Sequence, residues 1–273
     1  MALLPKKNPL ESALNDNEIT LSNRDYVGMS QLGHNCHRYL QYVHYWAFEN
    51  TITTRVNRLF GVGHRSEDMM KADLASMGII VVEDQKQVVG FAGHWKGHID
   101  GIALEKGKDK RLVEFKTHNA KSFKDLQAKG VQVSKPVHYS QMQAYMHYLE
   151  LKESIYMAYS KNDSTYHIEF IDYDEEWANE LVKKSEEIVM SPNLLPRIGT
   201  GSSTWFECKF CDARKVCYKK EETLENCRTC SNVHVINDGE WVCGFDDEKP
   251  LTADEQREGC GKYRPSIMFK EIE

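Results

Sequence analysis

Two short segments with alternating side chains, joined by a polar stretch, constrain this chain most. They are GHIDGIAL, which contains Asp100, and RLVEFKT, which contains Glu114 and Lys116, with polar residues 105–110 between them. This pattern predicts a β-hairpin with strands over 94–104 and 111–117. Because side chains alternate along a strand, Glu114 and Lys116 should share one face. The hairpin would then bring two carboxylates and one ammonium to one place.

Such a group of side chains suits the hydrolysis of a phosphodiester. Carboxylate oxygens bind Mg²⁺ or Mn²⁺, and either ion neutralises developing negative charge and lowers the pKa of bound water. The ammonium of Lys116 would stabilise the nucleophile or the transition state. Acid–lysine pairs are also common as ordinary salt bridges on exposed strands, so the hairpin alone leaves both interpretations open.

The charges are unevenly distributed along the 273-residue chain. The net charge is −6, yet residues 94–138 contain ten Lys and Arg against five Asp and Glu. Residues 221–258 contain eleven acids against three bases. A basic region around the hairpin favours phosphate binding there, although a solvated surface has the same composition.

The order of predicted elements indicates an α/β protein with a helical N-terminal portion. Residues 1–22 are expected to be a flexible N-terminus. Helices are predicted over 23–50, 53–77, 137–152 and 174–190, and further strands over 79–82, 87–91, 154–160 and 165–173, with a partly helical loop over 118–136. No apolar run is long enough to cross a bilayer and no signal peptide is evident, so we expect a soluble intracellular protein without a membrane partner.

Three more residues extend the hairpin pattern. His64 lies inside the second predicted helix, and Gln141 and Tyr145 lie four residues apart in a later one. That spacing places Gln141 and Tyr145 on one helix face. Taken singly, each of the three is typical of an ordinary surface or core position.

In this order the residues resemble the PD-(D/E)XK nuclease superfamily, and within it the RecB-like branch that includes AddB and the CRISPR adaptation nucleases. The resemblance covers roughly residues 28–220. Its motif residues here are His64, Asp100, Glu114, Lys116, Gln141 and Tyr145. Ile99 stands where the superfamily name has Pro.

The resemblance implies a restriction-endonuclease-like core, a mixed central sheet flanked by helices. It also implies a metal-dependent DNA nuclease, with an exonuclease favoured, acting in recombination, repair or phage DNA processing. Mg²⁺ or Mn²⁺ would be held by His64, Asp100, Glu114 and the backbone carbonyl of Phe115. Lys116 would orient or activate water, and the Gln141/Tyr145 helix would support the site and contact DNA.

We therefore expect DNA as the substrate, single-stranded or at a duplex end, in the cytoplasm of a bacterium or a phage-infected cell. No P-loop motif is present, so any unwinding would need a helicase or recombination protein as partner. Two other functions remain open. One is a non-catalytic nucleic-acid-binding protein that kept the fold, and the other is a zinc-stabilised interaction protein.

Seven of the eight cysteines lie in the last quarter of the chain. Cys36 and the C-x₂-C-x₅-C run of Cys208, Cys211 and Cys217 resemble the iron–sulfur site of AddB and the CRISPR adaptation nucleases. The resemblance implies a structural [4Fe–4S] cluster that closes a nuclease domain over 23–220. The same four thiolates would also suit a tetrahedral zinc ion.

The other cysteines, Cys227, Cys230, Cys243 and Cys260, have a two-plus-one-plus-one spacing. This spacing predicts a small zinc-binding tail over 221–273, with His234 as a substitute ligand. Reduced free thiols are the alternative. The acidic charge of this segment argues against binding of a DNA backbone by the tail.

Overall fold

The structure is a computed structural model and describes residues 8–218 and 220–270. The helices are α1 (Pro9–Asp16), α2 (His37–His44), α3 (Thr54–Ser76), α4 (Ala120–Ser134), α5 (Pro136–Leu149), α6 (Glu175–Met190), α7 (Phe206–Lys209), α8 (Arg214–Cys217) and α9 (Ala253–Glu258). Short 3₁₀ helices span Met29–Gln31, Phe91–Gly93, Cys227–Thr229, Asn237–Gly239 and Ile267–Phe269.

The strands follow the same chain order. They are β1 (Glu18–Thr20), β2 (Val27–Gly28), β3 (Thr51–Thr53), β4 (Ile80–Val82), β5 (Gln87–Val89), β6 (Trp95–His98), β7 (Gly101–Leu104), β8 (Arg111–His118), β9 (Glu153–Ser160), β10 (Tyr166–Asp172), β11 (Val233–Val235), β12 (Trp241–Cys243) and β13 (Lys249–Pro250).

The central sheet has five strands in the order β10-β9-β8-β7-β4. β8 and β9 are parallel and the other neighbours are antiparallel. A parallel pair needs a long crossover, which α4 and α5 supply. The predicted α/β class, a mixed central sheet flanked by helices, is therefore confirmed.

Each face of the central sheet packs on a different helix layer. On one face Val113 and Phe115 of β8 join Met70 and Leu74 of α3 in one apolar cluster. On the other face Leu112 belongs to the cluster that contains residues of α4 and α5. The predicted alternation along β8 is therefore present. It places Glu114 and Lys116 on the same face as Leu112, toward α5.

Local sequence explains where the layer helices begin. The side chain of Thr53 accepts a hydrogen bond from the Val56 amide at the start of α3. Pro136 occupies the first turn of α5, where its missing N–H costs nothing. Asp174 caps α6, as the sequence predicts.

The predicted strand over 94–104 is wrong, because it is two strands in two sheets. β6 ends at His98 and pairs with β2 and β5, whereas β7 begins at Gly101 in the central sheet. Gly101 has φ +149°, and a Cβ there would lie 2.3 Å from Cγ1 of Val81. The close approach of β4 thus leaves no room for a side chain at position 101, and Asp100 lies in the connection between the two strands.

The N-terminal portion also differs from the prediction. Residues 8–20 form α1 and β1, and β1 pairs with β3 instead of remaining flexible. The Leu14 carbonyl anchors α1 by accepting hydrogen bonds from Thr54 and Arg58 of α3. The predicted helix over 23–50 shrinks to α2, because residues 27–28 pair with β6. Residues 1–7, 219 and 271–273, on which parts of the predicted domain limits fall, lie outside the described residues.

The predicted loop over 118–136 is mainly α4, which bends at Gly130, where φ is +73°. The tail forms a small antiparallel sheet of β11, β12 and β13. In the described part of the chain, no helix combines the length and the apolar character needed to cross a membrane.

Candidate active site

Glu114 is the buried centre of the site. Its side chain is 0% exposed although it carries a carboxylate. One oxygen pairs with the ammonium of Lys116 and the other accepts a hydrogen bond of 3.1 Å from Nε2 of Gln141. A buried carboxylate is tolerated only when its oxygens have such partners, and here β8 and α5 provide them.

Asp100 lies beside Glu114 at the end of the hairpin. Gly101 pairs with Val113, and continuation of this register places Asp100 opposite Glu114. Oδ2 of Asp100 accepts a hydrogen bond of 2.8 Å from the Phe115 amide. The structure therefore brings together the two carboxylates predicted from the sequence, although Asp100 stands between two strands instead of within one.

Helix α3 brings His64 and a residue that the sequence analysis missed, Glu67. Burial raises the pKa of Glu67, the charge of Asp100 raises it further, and His64 and Lys116 oppose the shift. These interactions place Glu67 in the electrostatic field of the two hairpin carboxylates. The available signal was its position one turn after His64 on the same helix.

Burial and like charge also act on the central ion pair. Burial raises the pKa of Glu114 to about 7, Lys116 opposes this, and Asp100 adds to it. Burial alone would lower the pKa of Lys116, but the carboxylates of Glu114 and Asp100 outweigh it and raise that pKa. The site therefore concentrates negative charge around one lysine, an arrangement that a cation would relieve.

Tyr145 supports the backbone around the site. Its hydroxyl donates a hydrogen bond of 3.1 Å to the carbonyl of His98, the last residue of β6. A Cβ at Gly97 would lie 2.3 Å from the Tyr145 hydroxyl oxygen, so the contact requires glycine there. Gln141 and Tyr145 thus share one face of α5, as predicted, but contact different strands.

A buried histidine–tyrosine network continues the same surface, and the sequence analysis missed it. The Tyr156 hydroxyl lies 3.0 Å from Nε2 of His118 and 2.9 Å from Nδ1 of His138. His118 follows Lys116 by two residues on β8, and His138 precedes Gln141 by three on α5. The two-residue period of the strand leads from Lys116 to His118, and one helical turn leads from Gln141 back to His138, so the sequence contained a signal for both histidines.

The carboxylate oxygens around the hairpin suit a hard divalent cation such as Mg²⁺. Within 8–218 and 220–270, no three His, Cys, Asp or Glu side chains are arranged so that they could hold a metal ion. Mg²⁺, however, is commonly bound by one or two carboxylates together with waters and substrate phosphates. Asp100 and Glu114 offer two carboxylates, and the Phe115 carbonyl and His64 remain predicted ligands.

The first predicted cysteine set is brought together by the fold. Cys36, Cys208 and Cys211 line a cavity of about 140 Å³. Cys217 acts electrostatically on Cys36 and on Cys211, and burial is the main reason that the pKa of Cys211 rises to about 12. Cys36 and the segment 208–217 therefore lie near one cavity, although the described residues do not hold three of these ligands in a metal-binding arrangement. Thiolate donors suit either an iron–sulfur cluster or zinc.

The four cysteines of the second predicted set lie in the tail, close enough to one another for electrostatic effects. Burial raises the pKa of Cys227 to about 11, and Cys260, Cys230 and Cys243 add to the shift in that order. Nε2 of His234, the suggested substitute ligand, instead lies 2.7 Å from a carboxylate oxygen of Glu248. The described residues contain all eight cysteines, and no disulfide joins any two of them.

Comparison with known proteins gave no sequence relative: no family model and no curated protein matches the chain. Solved structures do match. An alkaline exonuclease from Laribacter hongkongensis is 18% identical over 61% of this chain and 87% of that one, with a TM-score of 0.48. The same exonuclease in complex with dAMP is 17% identical over 60% and 86%, with a TM-score of 0.43. Identities of 17% and 18% with TM-scores of 0.43 and 0.48 assign no role to any residue of this chain.

Proposed function

We propose that this protein is a divalent-metal-dependent DNA nuclease, with an exonuclease favoured. The observation that carries the proposal is the buried Glu114 carboxylate, held by Lys116 and Gln141 next to Asp100. Burial of a carboxylate is costly, so an ordinary surface salt bridge does not account for this arrangement. The perturbed pKa of a cluster of this kind is typical of a functional site.

Mg²⁺ or Mn²⁺ would be held by Asp100, Glu114 and the Phe115 carbonyl, with His64 as a further ligand. When bound, the ion would neutralise the phosphate and lower the pKa of water. Lys116 would stabilise charge that develops on the attacked phosphate. Gln141 fixes the orientation of Glu114, and Glu67 adds a negative charge that strengthens cation binding.

The proposed substrate explains the basic surface on α4. Lys121 and Lys124 are exposed in the first turns of this helix, which follows β8 directly. Exposed lysines next to a phosphodiester site bind the backbone without regard to sequence. The resemblance noted in the sequence also favours DNA, either single-stranded or at a duplex end.

The test is digestion of end-labelled linear and circular DNA, single-stranded and double-stranded, with Mg²⁺ or Mn²⁺. Removal of one metal-binding carboxylate should leave phosphate charge uncompensated, so we expect Glu114→Gln to lose at least about 100-fold in rate. Glu67→Gln should lose less, because Glu67 lies at the edge of the cluster. An exonuclease would spare the circles.

The matched control is Asp109→Asn, which removes an exposed carboxylate from the turn of the same hairpin. It should digest DNA at the wild-type rate. Equal digestion by wild type and Glu114→Gln would refute the assignment of the site. DNA binding without any cleavage by the wild type would favour the non-catalytic binding protein.

A further inference from the structure

A second cavity, which we call the aromatic pocket, lies between the segment 21–31 and helix α2. Its volume is about 290 Å³. Six aromatic side chains contribute to its lining: Tyr26, Tyr39, Tyr42, Trp46, Phe48 and Phe60. Tyr42 and Trp46 are each only 3% exposed and form the floor of the pocket, whereas Phe60 is 52% exposed and offers a free apolar face on which another planar ring can stack.

Polar groups complete the lining. Asn23, Gln31 and Asn50 carry side-chain amides, and each amide offers both a donor and an acceptor. Two cations lie over the Tyr26 ring, with Arg24 Cζ 5.9 Å and Lys96 Nζ 5.7 Å from its centroid. The pocket thus combines stacking faces, groups that can bind the edge of a base and positive charge for a phosphate.

The size of the aromatic pocket limits the ligand. Pockets for drug-sized molecules measure about 300–1,000 Å³, so 290 Å³ suits a single planar heterocycle. Its position limits the ligand further, because Phe60 and His64 lie four residues apart on α3, about 6 Å along the helix. Two base steps in DNA span about 7 Å along one strand, so one strand can extend over the distance between these two residues.

The pairing of β2 with β6 gives a second connection between the pocket and the candidate active site. Gly28 lines the pocket and pairs with Lys96 of β6. Strand β6 ends at His98, whose carbonyl accepts the Tyr145 hydrogen bond beside Asp100. Two elements that line the pocket, α3 and β2, therefore also lead to the site.

We propose that the aromatic pocket binds one unpaired nucleobase of the DNA strand whose phosphate occupies the candidate active site. This inference rests on the proposed function and narrows the substrate to DNA that is single-stranded at the cleavage point. A paired base cannot enter the pocket, because its edge and both faces are occupied within the duplex. Duplex DNA would then be cut only where its end is frayed or unwound.

The test measures binding, so that it does not depend on cleavage. A fluorescent oligothymidylate of about 12 nucleotides is prepared with one abasic position, moved along the strand. Affinity is measured by anisotropy with the Glu114→Gln protein, and a gel verifies that the oligonucleotide stays intact. We expect one position at which loss of the base weakens binding about tenfold, because one stacked base is lost.

Phe60→Ala in the same background should weaken binding of the complete oligonucleotide about as much and remove the dependence on that position. The matched control is Leu59→Ala, since Leu59 is 40% and Phe60 52% exposed on the same helix and only Phe60 lines the pocket. Both proteins should fold, because both side chains are exposed. An unchanged position dependence in Phe60→Ala, or no position dependence at all, would overturn the proposal. Neither result would bear on whether the wild type cleaves DNA.

Discussion

At the scale of single residues, the buried charges on the α5 side of the sheet are each held by a specific partner. Glu114 has a donor for each oxygen, and Asp100 accepts from the Phe115 amide. The neutral network of His118, His138 and Tyr156 continues this surface. Buried polar groups are tolerated in a core only when they have hydrogen-bond partners. The partners on this face of the sheet therefore fix the positions of its buried side chains.

The network makes the stability of the protein depend on pH. The pKa of His138 is lowered to about 3 and that of His118 to about 4, mainly because both rings are removed from water. An unfolded histidine takes up a proton near pH 6.5. Between about pH 6.5 and pH 3 the unfolded chain therefore binds more protons, and the free energy of unfolding falls as the pH falls.

We expect His138→Asn to remove part of this acid sensitivity, because asparagine offers a polar atom to Tyr156 but does not titrate. Between pH 7 and pH 5, the wild type should lose on the order of 2 kcal/mol more stability than the variant. Urea unfolding at several pH values measures the difference. His98→Asn, at an exposed histidine, is the control and should keep the wild-type slope. A wild-type slope in His138→Asn would show that His138 is not buried in its neutral form.

At the scale of elements, one buried cation makes a central contact between the tail and the N-terminal helical portion. Arg228 is 1% exposed, and its guanidinium lies 3.7 Å from the centroid of Trp46 and 4.6 Å from that of Trp241. It donates hydrogen bonds of 2.9 Å to the carbonyls of His44 and Asp25. Burial lowers its pKa to about 9, so these partners must offset a large desolvation cost.

We expect Arg228→Met to reduce the free energy of unfolding by about 3 kcal/mol, because methionine fills the space but leaves buried carbonyls unpaired. Thermal or urea unfolding measures the loss. Arg257→Met is the matched control. Arg257 also lies over Trp46, at 5.1 Å, but its ion pair with Asp254 and its hydrogen bond to the Asn23 carbonyl are both exposed. It should cost less than about 1 kcal/mol. Equal losses in the two variants would contradict the role of Arg228 at the buried contact.

At the scale of the whole molecule, one group of cysteines comes from distant parts of the chain, whereas the second group lies within the tail. Cys36 at the start of α2 lies with Cys208 and Cys211 around one cavity, and Tyr39 lines both that cavity and the aromatic pocket. Metal binding there would hold α2 against the segment that contains α7. We propose an iron–sulfur cluster at this group and zinc at the group around Cys227, both structural.

Metal analysis of anaerobically purified protein tests this assignment. We expect a brown protein with about four iron atoms and one zinc ion per chain. Cys211→Ser should lose iron and keep zinc, while Cys243→Ser should lose zinc and keep iron, so that each variant controls the other. A colourless protein with two zinc ions and no iron would refute the cluster. Absence of metal in both groups would favour free thiols.

The sequence alone determined the parts that depend on local periodicity. The alternation along β8, which places Glu114 and Lys116 together, follows from the two-residue period of a strand. The shared face of Gln141 and Tyr145 follows from the helical period. The α/β class follows from the order of such segments, because each needs an apolar face to bury.

Only the tertiary structure decided what depends on contacts between distant segments. The need for glycine at position 101 comes from the approach of β4. The position of Glu67 near the site comes from the packing of α3, and the aromatic pocket comes from the packing of segment 21–31 on α2. No periodicity within a short segment contains this information. Pairing and burial between remote parts of the chain set these positions, and they override local preference where the two conflict.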